Sequence, residues 1–218
     1  MSRYDLICLD YDGTLMHSVP AIAAALGEVF TEFGLEPPAE DVVRAAVGMG
    51  IRETFLQLHP GFGEEQLEQG IVRYRAVYSA HEQTKSRLFP RVLETMKELA
   101  ARGHRMTVVS NKGRQVLEES VARLGLAEYV DLVVGDRPGY AKKPDARVWD
   151  EDVSPAFPGI APERVLMVGD AYPDMAFARA VGMAACFATW GYGDRAACLE
   201  LGPRHVIDAF DELVEIFE

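Results

Sequence analysis

Disulfide chemistry, membrane insertion and binding to a polyanion are the first things this sequence argues against. Its 218 residues include three cysteines, Cys8, Cys186 and Cys198, too few for a disulfide framework, which points to a reducing, cytoplasmic compartment. No apolar run is long enough to span a bilayer, and residues 1–5 lack the charged-then-apolar pattern of a signal peptide, so no membrane partner is expected. Basic side chains are also scarce. Lys and Arg number 22 against 34 Asp and Glu, a formal charge of −12, and the pI is 4.9. That balance suits no nucleic-acid backbone. It does not exclude a small anionic substrate, because a metal ion and a few placed cations reverse the field locally. What is present is ordinary globular composition, 49% hydrophobic and 26% charged, in a chain long enough to bury roughly 70% of its surface. There is no internal repeat and no low-complexity tract.

Residues 4–9 are short, apolar and β-prone and lead into Asp10, which reads as a buried strand. After Gly13 and Thr14, apolar positions recur at Val19, Ile22, Ala23, Leu26, Val29, Phe30 and Phe33, a helical stripe stopped by Gly34. Pro37-Pro38, a short helix over 42–47, Gly48-Met49-Gly50 and another over 51–58 follow. After a break at 60–63, Leu67, Ile71, Tyr74 and Tyr78 carry a longer stripe, read as a helix-packing surface. No strand is expected between residues 16 and 85. From residue 88 the pattern alternates: helix 92–101, strand 105–109, helix 115–124, strand 130–134, a Pro/Gly-rich loop with a helix, strand 165–168, a helix ending at Val181, strand 184–188, a short strand near Val206 and helix 210–217. Such alternation implies parallel βαβ units. The expected fold is α/β, a Rossmann-like parallel sheet over 1–15 and 86–218, interrupted by an all-helical insert over 16–85.

Four polar segments fall at strand ends or in the loops after them: Asp10-Tyr11-Asp12-Gly13-Thr14, Ser110-Asn111, Lys142-Lys143-Pro144, and Asp170 with Asp174 four residues on. In an open parallel sheet, ligands sit beyond the carboxyl ends of the strands, so these segments can converge. Each alone has a plain structural use, as a turn, a helix cap or a solvated charge pair. Together they carry chemistry. Asp10, Asp12 and Asp170 would be hard oxygen ligands needing a cation, and Mg²⁺ suits them. Ser110, nearby backbone amides and Lys143 would supply donors to an oxyanion. This is the equipment of phosphoryl transfer to a carboxylate nucleophile.

In these four segments the chain resembles the haloacid dehalogenase superfamily of phosphohydrolases, over essentially its whole length. Residues 4–18 and Val47-Gly48-Met49-Gly50-Ile51 are most similar to phosphoglycolate phosphatase-like members, and the helical block looks like the family's inserted four-helix cap. The resemblance implies that Asp10 is the nucleophile and a metal ligand, and that Asp12 is the general acid/base and binds metal through its backbone carbonyl. Ser110, with Asn111 beside it, would bind the phosphoryl group. Lys143, rather than Lys142, would neutralise that group and hold Asp10, because the family's lysine directly precedes proline. Asp170 would ligate Mg²⁺, Asp174 would support the metal and steer Lys143, and Thr14 would have a supporting place. The chain departs from the family pattern at His17, Ala146 and Ala171. His17 reads as structural, and Arg52, just after the glycine pair, is the candidate partner for a substrate carboxylate. His59, His81, His104 and His205 form no ligand spacing.

The implied function is a Mg²⁺-dependent phosphatase of small phosphorylated metabolites, with phosphoglycolate as a candidate and an aspartyl-phosphate intermediate. A sugar phosphomutase is the alternative within the superfamily. Asp12 argues against a dehalogenase, and the helical insert against a phospho-accepting signalling module. Monomer and homodimer are both left open. Two connections to the insert would make a hinge beside the nucleophile, with residues 48–50 as a tip approaching the site.

Overall fold

The strands at 6–9 and 165–169 are buried apolar runs because both faces of the sheet are covered there. The computed structural model describes residues 3–217. In chain order the elements are β1 Leu6–Leu9, β2 Met16–His17, α1 Val19–Glu32, α2 Glu40–Ala46, α3 Ile51–Leu58, α4 Glu64–Lys85, β3 Arg87–Leu88, α5 Val92–Ala101, β4 Arg105–Gly113, α6 Arg114–Arg123 and β5 Leu132–Asp136. A π-helical turn Trp149–Val153 then leads into α7 Ser154–Ala156, followed by β6 Val165–Gly169, α8 Tyr172–Val181, β7 Ala184–Ala188, α9 Arg195–Glu200, β8 His205–Ile207 and α10 Leu213–Ile216. Six strands form one parallel sheet in the order β5-β4-β1-β6-β7-β8.

Side chains alternate across that sheet, as strand geometry requires. Ile7 and Leu9 of β1 join Val108 and Val168 beneath Met96, Leu99 and Leu117 of α5 and α6. Leu6 and Cys8 face the other way, onto Met167, Phe177 of α8 and Trp149. The chain leaves β1 for β4 on one side and later returns to β6 on the other, so the strand order reverses at β1. A crevice opens at such a point beyond the strand's carboxyl end, where Asp10 lies. All three cysteines are buried and unpaired. No helix among the described residues is long and apolar enough to cross a membrane.

Helices α1 to α4 form the insert, a helical cap with its own apolar centre of Leu26, Val29, Phe30, Phe55, Phe62 and Ile71. The rings of Phe30 and Phe62 lie 5.9 and 5.6 Å from that of Phe55. Gly70 lets α4 close on this cluster, since a Cβ there would stand 2.9 Å from Phe55 Cε1. Helix α1 stops where expected, at Gly34 with φ +71°, a left-handed position that glycine takes without strain.

The block from residue 16 is not purely helical. Met16 and His17 pair antiparallel with Leu88 and Arg87. The connections entering and leaving the insert run side by side and satisfy each other's backbone groups; strands this short carry no periodicity to read. Strand β4 runs past residue 109 to Gly113, with a register shift between Val109 and Gly113. The strand expected over 130–134 lies at Leu132–Asp136. The final helix is a 3₁₀ turn, Phe210–Glu212, followed by α10.

Truncating Phe55, which is fully buried, removes the ring the other aromatics pack against. Phe55→Ala is expected to lower unfolding free energy by about 3–5 kcal/mol in urea denaturation. A loss below about 1 kcal/mol would show that the insert's core lies elsewhere.

Candidate active site

Asp10 follows β1 directly, and its N–H donates to Val168 O of β6 at 2.9 Å. Its carboxylate meets Lys143, whose Nζ lies 2.7 Å from Asp10 Oδ1 and 2.6 Å from Asp174 Oδ1. Asp174 stands in the first turn of α8, where its Oδ2 accepts the Ala171 N–H at 3.0 Å. Asp170, just past β6, accepts from Thr14 Oγ1 at 2.8 Å and from the Tyr192 N–H at 2.8 Å. One carboxylate oxygen from each of Asp10, Asp170 and Asp174 falls in a group whose atoms all lie within 4.8 Å of one another.

Close backbone approach makes this cluster possible. Gly13 has φ +98°, and a Cβ there would stand 2.3 Å from Asp170 Oδ2. A Cβ on Gly191 would stand 2.1 Å from Asp170 Cβ. The loop carrying Gly191 also clamps the segment after the nucleophile, with Trp190 Nε1 donating to Thr14 O at 3.2 Å and the Ser18 N–H donating to Tyr192 OH at 2.8 Å.

The cluster is electrostatically short of cations. Burial pushes the Asp10 carboxyl up to about 6; Lys143 pulls it down and Asp174 raises it. Burial, then Asp10 and Asp174, hold Asp170 well above the usual carboxylate range. For Lys143 burial opposes the charge, but Asp10 and Asp174 outweigh it and raise the pKa. Three buried carboxylates share the site with one ammonium, which pairs with Asp10 and Asp174 only, so negative charge is left in excess where water cannot screen it. An all-oxygen set with neither histidine nor cysteine fits a hard cation such as Mg²⁺ better than Zn²⁺.

Several expected site residues sit differently. The carboxylates of Asp10, Asp170 and Asp174 come together in one group; that of Asp12, which the family resemblance assigned to the metal only through its backbone carbonyl, lies outside it. The Asp12 carboxylate turns to Lys112, with both oxygens 3.3 Å from Nζ. Burial raises the Asp12 pKa, Lys112 lowers it, and Glu82 and Asp10 raise it further. The side-chain amide hydrogens of Asn111 are engaged by backbone carbonyls. Its Nδ2 donates to Gly48 O of the insert at 2.9 Å and to Lys143 O at 2.9 Å, joining the insert's tip to the lysine loop. Ser110 is buried, and its Oγ accepts the Lys112 N–H at 3.3 Å. His17 packs edge-on against Phe89 and Tyr192 at the connection into the insert, with ring centroids 5.5 and 6.2 Å away.

A cavity of about 550 Å³ opens from Asp10, Asp12 and Ser110 and is roofed by insert residues including Val47, Ile51 and Tyr74. Arg52 is not in its wall. The Arg52 guanidinium is held by Glu64 at 2.5 Å and by Glu68, which fastens α3 to α4. Arg75 of α4 does line the cavity.

Sequence reading missed Lys112, Arg75 and the loop at Gly191-Tyr192-Gly193. The loop carried a usable signal: a glycine pair just past a strand of a parallel sheet, the same placement that singled out the other segments.

The pattern of haloacid dehalogenase-like hydrolases matches residues 7–188. Over 215 residues the chain is 30% identical to phosphoglycolate phosphatase 1 of Pseudomonas aeruginosa, covering 96% of this chain and 78% of that one. It is 31% identical over 216 residues to a phosphoglycolate phosphatase of Pseudomonas savastanoi pv. phaseolicola, with the same coverage, 96% and 78%. A haloacid dehalogenase-like family protein from Streptococcus pneumoniae superposes with a TM-score of 0.88 at 25% identity, covering 100% of both chains. A predicted phosphoglycolate phosphatase from Haemophilus somnus superposes with a TM-score of 0.92 at 24% identity over 99% of each chain, a likeness of fold. The chain belongs to the haloacid dehalogenase-like hydrolases. Within that family it is a phosphatase, an enzyme that hydrolyses phosphoric monoesters.

Lys143→Met would leave the Asp10 and Asp174 carboxylates buried without their shared cation. Chemical denaturation in EDTA is expected to show a loss of about 3–5 kcal/mol. A change near zero would mean that these carboxylates are neutralised by another route.

Proposed function

We propose that this phosphatase is Mg²⁺-dependent, acts on small phosphorylated metabolites and works through an aspartyl-phosphate on Asp10. The observation that carries the reading is the placement of Asp10. It is buried, clamped by Lys143, shares an acidic cluster with Asp170 and Asp174, and faces the cavity beside a second carboxylate, Asp12, that stands apart from the cluster. Asp10, Asp170, Asp174 and the backbone carbonyl of Asp12 would hold Mg²⁺, which would supply positive charge to offset that of the carboxylates and of the phosphoryl group. An Asp10 oxygen forms a bond to phosphorus while the bond to the leaving oxygen breaks. Asp12 gives its proton to that oxygen, and its raised pKa suits this role. Ser110 and Lys143 hold the phosphoryl group. Asp12, now a base, takes a proton from water as the water oxygen attacks phosphorus, which frees phosphate and restores Asp10.

The roof of the cavity supports a small substrate. Besides the Asn111 contact, Lys142 of the core pairs with Glu53 of α3, so the insert sits over the site and excludes water during the first step. Phosphoglycolate is the first substrate to try, given the relatives that bear its name. Arg75 replaces Arg52 as the cation for a substrate carboxylate, because Arg75 lines the cavity and Arg52 is already paired.

Asp10→Asn is expected to lower kcat by more than about 10³-fold with the fold intact by circular dichroism. In single turnover in ¹⁸O-water, the label should enter phosphate and spare Asp10. EDTA should silence the enzyme and Mg²⁺ restore it. Full activity of Asp10→Asn would sink the mechanism, and a stable phosphoprotein without turnover would show a signalling module instead. Arg75→Ala should raise KM for phosphoglycolate roughly tenfold more than for an uncharged alkyl phosphate, whereas Arg52→Ala should not discriminate between them. Equal effects of Arg75→Ala on both esters would reject its role.

A further inference from the structure

Lys112 belongs to none of the four segments the chemistry was read from, yet it is the cation that faces Asp12. Its side chain is 7% exposed. The ammonium lies 3.3 Å from both Asp12 oxygens, 3.2 Å from Glu82 Oε1 and 2.5 Å from Tyr78 OH, to which it donates. Tyr78 in turn donates to Glu82 Oε1 at 3.1 Å. The Tyr78 and Tyr11 rings flank the charge, with centroids 4.2 and 5.6 Å away. Glu82 is fixed from its other oxygen by Arg123 of α6 at 3.2 Å. Tyr78 and Glu82 lie on α4, in the insert, whereas Lys112 and Asp12 lie on the core.

We propose that Lys112 is a positioning residue for Asp12, and that it takes its own position from Tyr78 and Glu82 of the insert. The Asp12 carboxylate then points at the leaving oxygen only while α4 is docked. This rests on the reading of Asp12 as the group that protonates that oxygen.

Two features separate this from a cation that merely ties helices together. A buried ammonium costs several kcal/mol to desolvate, and an apolar residue of similar size often serves stability as well or better. In addition, Lys112 lies in the stretch where β4 loses register with β5, between Val109 and Gly113. Irregularities of that kind re-aim side chains beside active sites. Here the stretch delivers Ser110 and Lys112 to one cavity wall, with Asp12 and Tyr78 in the same wall.

The test uses the first chemical step with two leaving groups. An alkyl phosphate needs a proton on its leaving oxygen; p-nitrophenyl phosphate does not. In single-turnover experiments on the full chain, Lys112→Met should slow release of the alkyl alcohol by about 100-fold and release of p-nitrophenol by less than about 5-fold, with KM changed by less than about threefold. Tyr78→Phe and Glu82→Gln should show the same asymmetry at smaller size. They keep the test available if Lys112→Met does not fold. The double variant Lys112→Met/Tyr78→Phe should be no slower than Lys112→Met alone, because Tyr78 acts through Lys112. Equal slowing of both esters, or a rise in KM with kcat kept, would overturn the proposal, the latter making Lys112 a substrate-binding group. Asp12→Asn is the control. If it shows the asymmetry and the Lys112 and Tyr78 variants do not, this proposal alone falls. If Asp12→Asn treats both esters alike, the acid assignment falls and this proposal with it.

Discussion

The Lys143 ammonium, shared between Asp10 and Asp174 at 2.7 and 2.6 Å, is the interaction on which the rest of the site depends. It joins three parts of the chain: the end of β1, the loop after β5 and the first turn of α8. Burying one charge alone costs several kcal/mol, and a paired ammonium with two carboxylates recovers that only if every atom is well placed. The placement comes from the sheet. Parallel strands β1 and β6 are in register from Leu6 with Val165 to Leu9 with Val168, so the residues that follow them emerge side by side. The glycines at 13 and 191 then let neighbouring loops reach Asp170. A rigid apolar scaffold thus carries a concentrated polar centre that would not form on a flexible one.

The helical insert is attached differently. It has its own aromatic core, against which Val116 of α6 also packs, and several of its links to the core near the site are polar: the β2–β3 pair, Asn111 to Gly48, Lys142 to Glu53, and Lys112 to Tyr78 and Glu82. Polar links of this kind exchange with water at little net cost, whereas apolar packing does not. The insert therefore has a firmer interior than its polar attachments near the site. Its position also decides which groups line the cavity.

Much of this was legible from local pattern. The apolar runs at 4–9 and 165–168, the stripes of α1 and α4, and the glycine stop at 34 mark strands and helices through spacing alone. Asp10, Ser110, Lys143, Asp170 and Asp174 stood out because each lies at or shortly after the end of a strand of a parallel sheet. The connecting strands Met16–His17 and Arg87–Leu88 did not, because a two-residue pairing leaves no period. Arg52 looked available because its partners, Glu64 and Glu68, lie on the next long helix; only the packing of α3 on α4 shows it is engaged.

The sequence by itself determined the sheet, the insert and the chemical inventory at the strand ends, since these follow from residue type and short-range spacing. Only the tertiary structure decided where those groups point. Asp12 is two residues from Asp10, yet its carboxylate turns to Lys112, 100 positions away. Asp170 is oriented by the backbone of Tyr192, on a loop past the following strand. The direction of a side chain beyond a strand is set by the loop conformation and by the charges that long-range folding brings near it, and no local period encodes either.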